Sequence, residues 1–489
     1  MPPEVLSRIF SILASDLFGR IGSSLDWIIV THVCKFWYHV ARDNPTLWSS
    51  INFIHPRWAK EKLTRAKSVP LRLDYQHNDI QGSEKAGQEA LSLALNKLPL
   101  IKTVTIEGPA DVLEGFIKEM CGLPAPLMED LRLISPKGNA IDTTAIWGSL
   151  FNGIAPRLKC VAFLGVSIDF KTTLFRSVEV LILGPMLHLV SIPDMLELLS
   201  NLPKLVDLGL SFAFRQPDDA QAARLANTEP VLMPRCRLVQ AIGVGNDVSP
   251  EHTVATPTMF LRWLRFAQPV DLELTMSWDA DEFPAADPVT LEQIFGPLSS
   301  HYAAHGTQYS HLEVTRTARP PMDTVTEQID IFAQGKNDAS ILLTFWFLDE
   351  VHTADCRQLV EEFAKHLPRA DLQSVNIEVD IGAYTWYSLF GELRHLQEIK
   401  TYLYEGVPHA LLMSDTGGHC IFPSLTKLTL YFDAEDEEKS KQGCWQRLPE
   451  VLEFRATHGA PVREIEILPE DEVPEEYLAP LAEFVVIRR

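Results

Sequence analysis

The sequence predicts a mixed fold of the α+β or α/β-repeat kind. A short three-helix unit opens the chain, and an irregular stack of strand-plus-helix units follows. Three observations carry this. The first fifty residues place apolar side chains at helical spacing. Beyond residue 75 one short pattern keeps returning: apolar, two residues, apolar, one residue, apolar. Hydrophobic content of 46% with 22% charged residues is that of a folded chain. At 489 residues the chain is long enough for several cores or one elongated one.

Leu6, Ile9, Phe10, Leu13 and Leu17 fall at i, i+3, i+4, i+7 and i+11, lining one helical face. Pro2 and Pro3 stand at the start, where a missing N–H costs nothing. Gly19 to Ser24 reads as a turn. Val30, Val33, Cys34, Trp37 and Ala41 predict a second helix, stopped at Asn44-Pro45 because the residue before proline leaves the α region. Leu47 and Trp48 add a short third element. So small a unit buries little apolar surface and is expected to finish its core against the following chain or a partner.

Residues 56–67 read as a basic amphipathic helix with Ala59, Leu63 and Ala66 inward, Trp58 at the edge and a solvated cationic face. Leu71 to Tyr75 is the first strand. The repeated pattern then appears as Ile101-Val104-Ile106, Met128-Leu131-Leu133, Leu158-Val161-Phe163, Val178-Leu181-Leu183, Leu205-Leu208-Leu210, Val239-Ile242-Val244, Leu372-Val375-Ile377, Leu425-Leu428-Leu430 and Val462-Ile465-Ile467. Less regular copies lie near Asp271, Leu312 and Leu342. Helical segments fall between copies, as at 90–98, 359–367 and 386–396. Such units stack so that each covers its neighbour's apolar edge. Gln216 to Pro234, Asp279 to Pro288, Arg319 to Thr324 and Asp433 to Lys439 read as surface loops. Tyr477, Leu481, Phe484 and Val485 suggest a terminal helix, weakened by Pro480.

A formal net charge of −22 argues against nucleic acid and anionic membrane surfaces. No apolar run approaches the roughly 20 residues a membrane helix needs. Seven scattered cysteines with no CxxC suit reduced thiols in the cytoplasm or nucleus. Asp415-Thr416-Gly417 lacks the second such triplet that a shared-proton carboxylate pair requires, so it reads as a turn. His301, His305 and His311 have no supporting carboxylate motif. Gly243-Val244-Gly245 lacks the third glycine of a dinucleotide loop. The reading is therefore of an interaction protein, with no enzyme activity, cofactor or metal.

The string Pro2-Pro3-Glu4-Val5-Leu6, Ile9-Phe10 and Leu13, followed by Thr31 to Trp37 and Asn44 to Trp48, resembles an F-box in the variant form common in large fungal families. Met1 holds the place where that family usually has leucine. The later pattern resembles a degenerate leucine-rich repeat, though the usual Asn or Cys after the last apolar residue is mostly missing. The implied organisation is an F-box-like helical domain at 1–54, a linker helix and first strand at 55–75, and a repeat-like recognition domain at 76–489. The implied function is substrate recognition for an SCF-type cullin–RING ubiquitin ligase, or a scaffold that binds partners without directing degradation. Carried over by motif position, Pro3, Leu6, Ile9, Val33, Cys34 and Trp37 would contact a Skp-family adaptor and through it a cullin. The repeats would hold a protein target. Between the last two apolar positions of each copy stand outward residues, among them Arg132, Gly209, Glu273, Glu313, Asn376, Thr429 and Glu466. Trp346, between Phe345 and Phe347, joins them as a candidate hot spot, and Glu273 and Glu313 favour a basic target segment.

Overall fold

The structure is a computed structural model. It describes residues 1–489 except 18–25, 137–140, 143–146, 187–189, 212–213, 216–217, 244–259, 279–291, 293–294, 300–305, 323–324, 337–338, 348–352, 416, 432–441, 469–474 and 489. The expected turn at Gly19 to Ser24, the loops at 279–288 and 433–439, His301, His305 and Val244-Gly245 lie outside the described residues. The fold is mixed α/β, with sheets dominated by parallel pairing. The chain forms two compact units: residues 1–212, 219–225 and 233–236 make the first, and residues 213–218, 226–232 and 237–489 the second.

In the first unit, α1 (Pro3–Leu17) and α2 (Lys35–Asp43) lead into strand β1 (Ser50–Asn52). Then come α3 (Pro56–Arg65), β2 (Leu71–Gln76), α4 (Glu84–Leu95), β3 (Ile101–Glu107) and α5 (Ala110–Glu119). β4 (Asp130–Ile134), β5 (Cys160–Leu164), β6 (Val180–Leu183) and β7 (Asp207–Leu210) complete the series, with α6 (Ile192–Ser200) before the last. Each strand pairs parallel with the next in chain order. Their register builds one apolar ladder, Ile51, Leu73, Val104, Leu131, Val161, Leu181 and Leu208, every member buried. The repeated apolar pattern is this ladder written along the chain. Each such side chain contributes about 1.5–3 kcal/mol on burial.

The second helix of the sequence reading is two pieces. A 3-10 segment (Asp26–His32) ends before α2, and the break is Cys34, whose backbone is extended and whose Sγ accepts the Trp37 N–H. Residues 216–234, read as loop, contain a helix, Asp219–Ala226, and a short strand, Val231–Met233.

The cationic face of α3 is not fully solvated. Lys62 is 2% exposed and donates to the Ser50 carbonyl at 3.3 Å. Burial pushes its ammonium down from 10.5 to about 8. Below the folded value the charge is present in both states, and its burial opposes folding at full strength. Between about 8 and 10.5 the folded protein sheds the proton first, so stability rises with pH. Lys62→Met is expected to raise stability at pH 7 by roughly 2 kcal/mol and to abolish that alkaline rise. Urea midpoints measured from pH 6 to 10.5 check both; parallel curves for the two proteins would refute the assignment.

In the second unit the strands are β8 (Leu238–Gly243), β9 (Asp271–Trp278), β10 (Tyr309–Met322), β11 (Val325–Gly335) and β12 (Ser340–Phe347). After α7 (Thr353–His366) follow β13 (Ser374–Ile377), α8 (Gly382–Phe390), β14 (Glu398–Tyr402) and α9 (Gly406–Leu411). The chain closes with β15 (Lys427–Tyr431), α10 (Gln442–Thr457), β16 (Glu464–Leu468), α11 (Glu475–Leu478) and β17 (Val486–Arg488). Their spatial order is β8-β9-β12-β11-β10-β13-β14-β15-β16-β17. All pairings are parallel except those of β11, which runs against both neighbours.

This meander is the main departure from a simple stack. Arg319 to Thr324 was expected as a loop, yet β10 continues to Met322, which pairs with Val325 across a register shift that accommodates Pro320 and Pro321. At β8 the inward residues are Val239 and Ala241, and Ile242 faces out. The expected terminal helix is only α11; Pro480 stops it, and the chain ends as strand β17 on β16.

Candidate protein-interaction surfaces

The N-terminal unit is held by aromatic packing. Leu6 and Phe10 are buried, and Phe10 lies 5.2 Å from the Trp37 ring. Trp27 meets Trp48 edge-on at 5.0 Å, and Trp48 Nε1 donates to the Ala41 carbonyl at 3.0 Å. The Arg65 guanidinium stands 4.4 Å over the Trp48 ring, tying α3 to this core. Asn44 caps the turn at Pro45–Trp48 by accepting the Thr46 N–H.

Helix α1 is apolar on two faces. Leu6 and Phe10 point inward, whereas Val5, Ile9 and Ile12, at i, i+4 and i+7, are exposed. The single face of the sequence reading is thus corrected: Ile9, 44% exposed, belongs to the outer stripe. Nothing is described of the Leu17 side chain. On the following segments Ile29, Val33 and Phe36 are exposed too, Val33 to 59%. Of the six residues assigned to adaptor contact, Pro3, Ile9, Val33 and Cys34 stand at the surface, and Trp37 is half-buried. Leu6, 1% exposed, is in the core and is not available to a partner. Val5, Ile12, Ile29 and Phe36 were missed; the i, i+4, i+7 spacing of Val5, Ile9 and Ile12 was the signal that could have revealed Val5 and Ile12.

In the second unit the outward residues form one continuous row across the sheet. It runs Gln240, Glu273, Leu342, Phe332, Glu313, Asn376, Lys400, Thr429, Glu466 and Arg488. The structure therefore brings the predicted Glu273, Glu313, Asn376, Thr429 and Glu466 into line. Leu342 and Phe332 separate Glu273 from Glu313, because the meander reverses strand order. Glu273 accepts a hydrogen bond from Gln240. Lys427 pairs with Glu398 at 3.0 Å and Glu466 at 2.7 Å, which raises the lysine's pKa and lowers that of Glu466. Phe345 and Phe347 are fully buried, so Trp346 does face the other way. It is half-buried, however, and its Nε1 is enclosed without a hydrogen-bond partner among the described residues. Of the two readings the sequence left open for Trp346, a projecting side chain and one packed under neighbouring chain, its partial burial fits the second.

Other candidate chemistry resolves into local structure. Asp415 is exposed and accepts the N–H groups of Gly417 (2.8 Å) and His419 (2.9 Å), which hold its pKa low. That is the geometry of a turn. His311 lies 3.6 Å from Glu313. Among the described residues Glu292, Glu362 and His366 bring donor atoms within 4.8 Å of one another. His366 meets Glu292 through Nε2 (2.9 Å) and the Ser299 hydroxyl through Nδ1 (2.8 Å), so these contacts tie Glu292 and Ser299 onto α7, while Glu362 pairs with Lys365 of the same helix. No helix among the described residues is long and apolar enough to cross a membrane.

A family model described as F-box-like matches residues 1–54 of the chain. No curated protein matches it. The N-terminal unit, with its aromatic core and outward apolar stripe, is an F-box-like domain.

Proposed function

We propose that this chain is the substrate-recognition subunit of an SCF-type cullin–RING ubiquitin ligase. Its F-box-like domain docks on a Skp-family adaptor and through it a cullin, and the leucine-rich-repeat-like sheets hold a protein target. The reading rests on the F-box-like match together with the apolar residues that the domain leaves in solvent, Val5, Ile9, Ile12, Ile29, Val33 and Phe36. So many large apolar side chains left exposed on so small a domain are characteristic of a surface that another protein covers. On the target side the contacts come from Glu273 and Glu313, with Trp346 supporting the face they stand on.

No catalytic group is required of the chain. Holding a target beside a loaded conjugating enzyme raises its effective concentration, and that proximity is the whole contribution to rate. The free thiols of all seven cysteines suit a reducing compartment, the cytoplasm or nucleus. Affinity purification of the tagged chain with and without proteasome inhibition, read by mass spectrometry, tests the proposal. A Skp-family adaptor and a cullin are expected in both samples, with targets enriched under inhibition. Absence of the adaptor would refute the reading. Adaptor binding without any protein that accumulates on depletion would leave a scaffold in its place.

A further inference from the structure

In the first unit a cavity of about 400 Å³ opens between α1 and the leading ends of β1 to β3. Its size is that of a small-molecule site. No carboxylate lines it, although the chain carries a formal charge of −22. Two cations do, Arg72 and Lys102. Lys102 pairs with Glu129 at 3.0 Å, whereas the exposed Arg72 guanidinium has no partner among the described residues. Arg72 stands opposite Ser50 on the neighbouring strand, and the Ser50 hydroxyl is uncommitted too. Three more hydroxyls border the space, and each already donates. Ser11 gives its hydrogen to the Ser7 carbonyl (2.8 Å), Thr46 to Asn44 Oδ1 (2.7 Å) and Ser49 to the Thr46 carbonyl (2.7 Å). Their oxygens remain as acceptors. Trp27 and Leu47, both buried, form an apolar wall.

A free guanidinium beside a free hydroxyl suits an anion with several oxygens, since the planar fork takes two and the hydroxyl a third. The committed hydroxyls call for O–H donors on the guest, and the wall calls for a C–H face. A phosphate carried on a sugar meets all three demands. We propose that this cavity binds a sugar phosphate. Its phosphate lies on Arg72 and Ser50 with Lys102 beside them, and its ring hydroxyls donate to Ser11, Thr46 and Ser49. The guest touches both the F-box-like helices and the first strands, and so braces one on the other. The site is separate from the adaptor surface, because Ser11 and Ala14 lie on the side of α1 turned away from Val5, Ile9 and Ile12.

The test is calorimetric titration of the full chain with ribose 5-phosphate. Saturable binding is expected, with ribose at least about tenfold weaker for want of the charged contacts. Arg72→Leu should weaken ribose 5-phosphate at least about tenfold, and Ser50→Ala about threefold. Arg72 is exposed, so circular dichroism of its variant should match the parent. Arg157→Leu removes an exposed cation ahead of β5 and should change little. Equal weakening by Arg157→Leu would show attraction to surface charge only and overturn the proposal, as would absence of saturable binding. Inorganic phosphate binding as tightly as ribose 5-phosphate would refute the sugar contacts. Tighter binding of a serine-phosphorylated peptide would place the occupant on a partner protein and overturn the small-molecule assignment. No adaptor is present in the assay, so its outcome is independent of the F-box reading.

Discussion

Ile9→Asp combined with Val33→Asp is expected to cut capture of a Skp-family adaptor at least about 100-fold while leaving the chain folded. Both side chains are largely exposed, so in the free protein the new carboxylates stay in water and cost little. In a complex each would be enclosed in an apolar interface, where an unpaired carboxylate costs several kcal/mol. About 3 kcal/mol from the pair suffices for the stated loss. Leu6→Asp provides the contrast, because Leu6 packs inside and its replacement should unfold the N-terminal helices. Pull-down of purified adaptor, with circular dichroism on each variant, reads both effects. Parental capture by the folded Ile9/Val33 variant would sink the assignment of this stripe.

The largest stability loss is expected from Arg455→Ala, roughly 4 kcal/mol, since it combines a cavity with two orphaned carbonyls. Arg455 is fully buried in α10 and donates from one guanidinium nitrogen to the Ile421 carbonyl (2.9 Å) and from the other to Phe422 (2.8 Å). Phe422 has φ of +53°, a conformation that a bulky residue adopts only when its surroundings enforce it. The arginine supplies that enforcement by clamping both carbonyls ahead of Pro423. Burial lowers its pKa, yet the guanidinium keeps its charge in the ordinary range of pH. Urea unfolding followed by circular dichroism measures the loss. Arg455→Lys, with a single ammonium, should recover less than half; a deficit below about 1 kcal/mol for the alanine variant would contradict the clamp.

What the sequence disclosed depended on how local the signal was. The strand ladder was legible because inward residues repeat at fixed spacing, and Leu73, Val104, Leu131, Val161, Leu181 and Leu208 all obey it. The outward row was legible for the same reason, since Glu273, Glu313, Asn376, Thr429 and Glu466 share one register level. Strand order was not. Nothing in the spacing of Val325 to Gly335 says that it runs antiparallel, since alternation looks identical in either direction. Leu6 and Ile9 were given one face because a three-residue step keeps side chains on the same side; only the packing of Phe10 on Trp37 decides which of them turns inward. Arg455 and Lys62 were invisible as core residues. Their burial depends on carbonyls distant in sequence or on how tightly a helix is seated, and neither leaves a periodic trace.

The reversed meander has a consequence for how the protein is made. In the first unit a strand meets its partner as soon as the next repeat leaves the ribosome. In the second, Leu272 must wait for Ile341, because β12 and not β10 becomes its neighbour. Closing that longer loop adds only about 1 kcal/mol of entropy over a single-repeat step. The delay is what matters. At roughly 5–20 residues per second, β9 carries an unpaired edge for several seconds during synthesis, and an open edge is a template for the wrong strand. Nascent chains halted between residues 280 and 340 should therefore be the ones that chaperones hold longest.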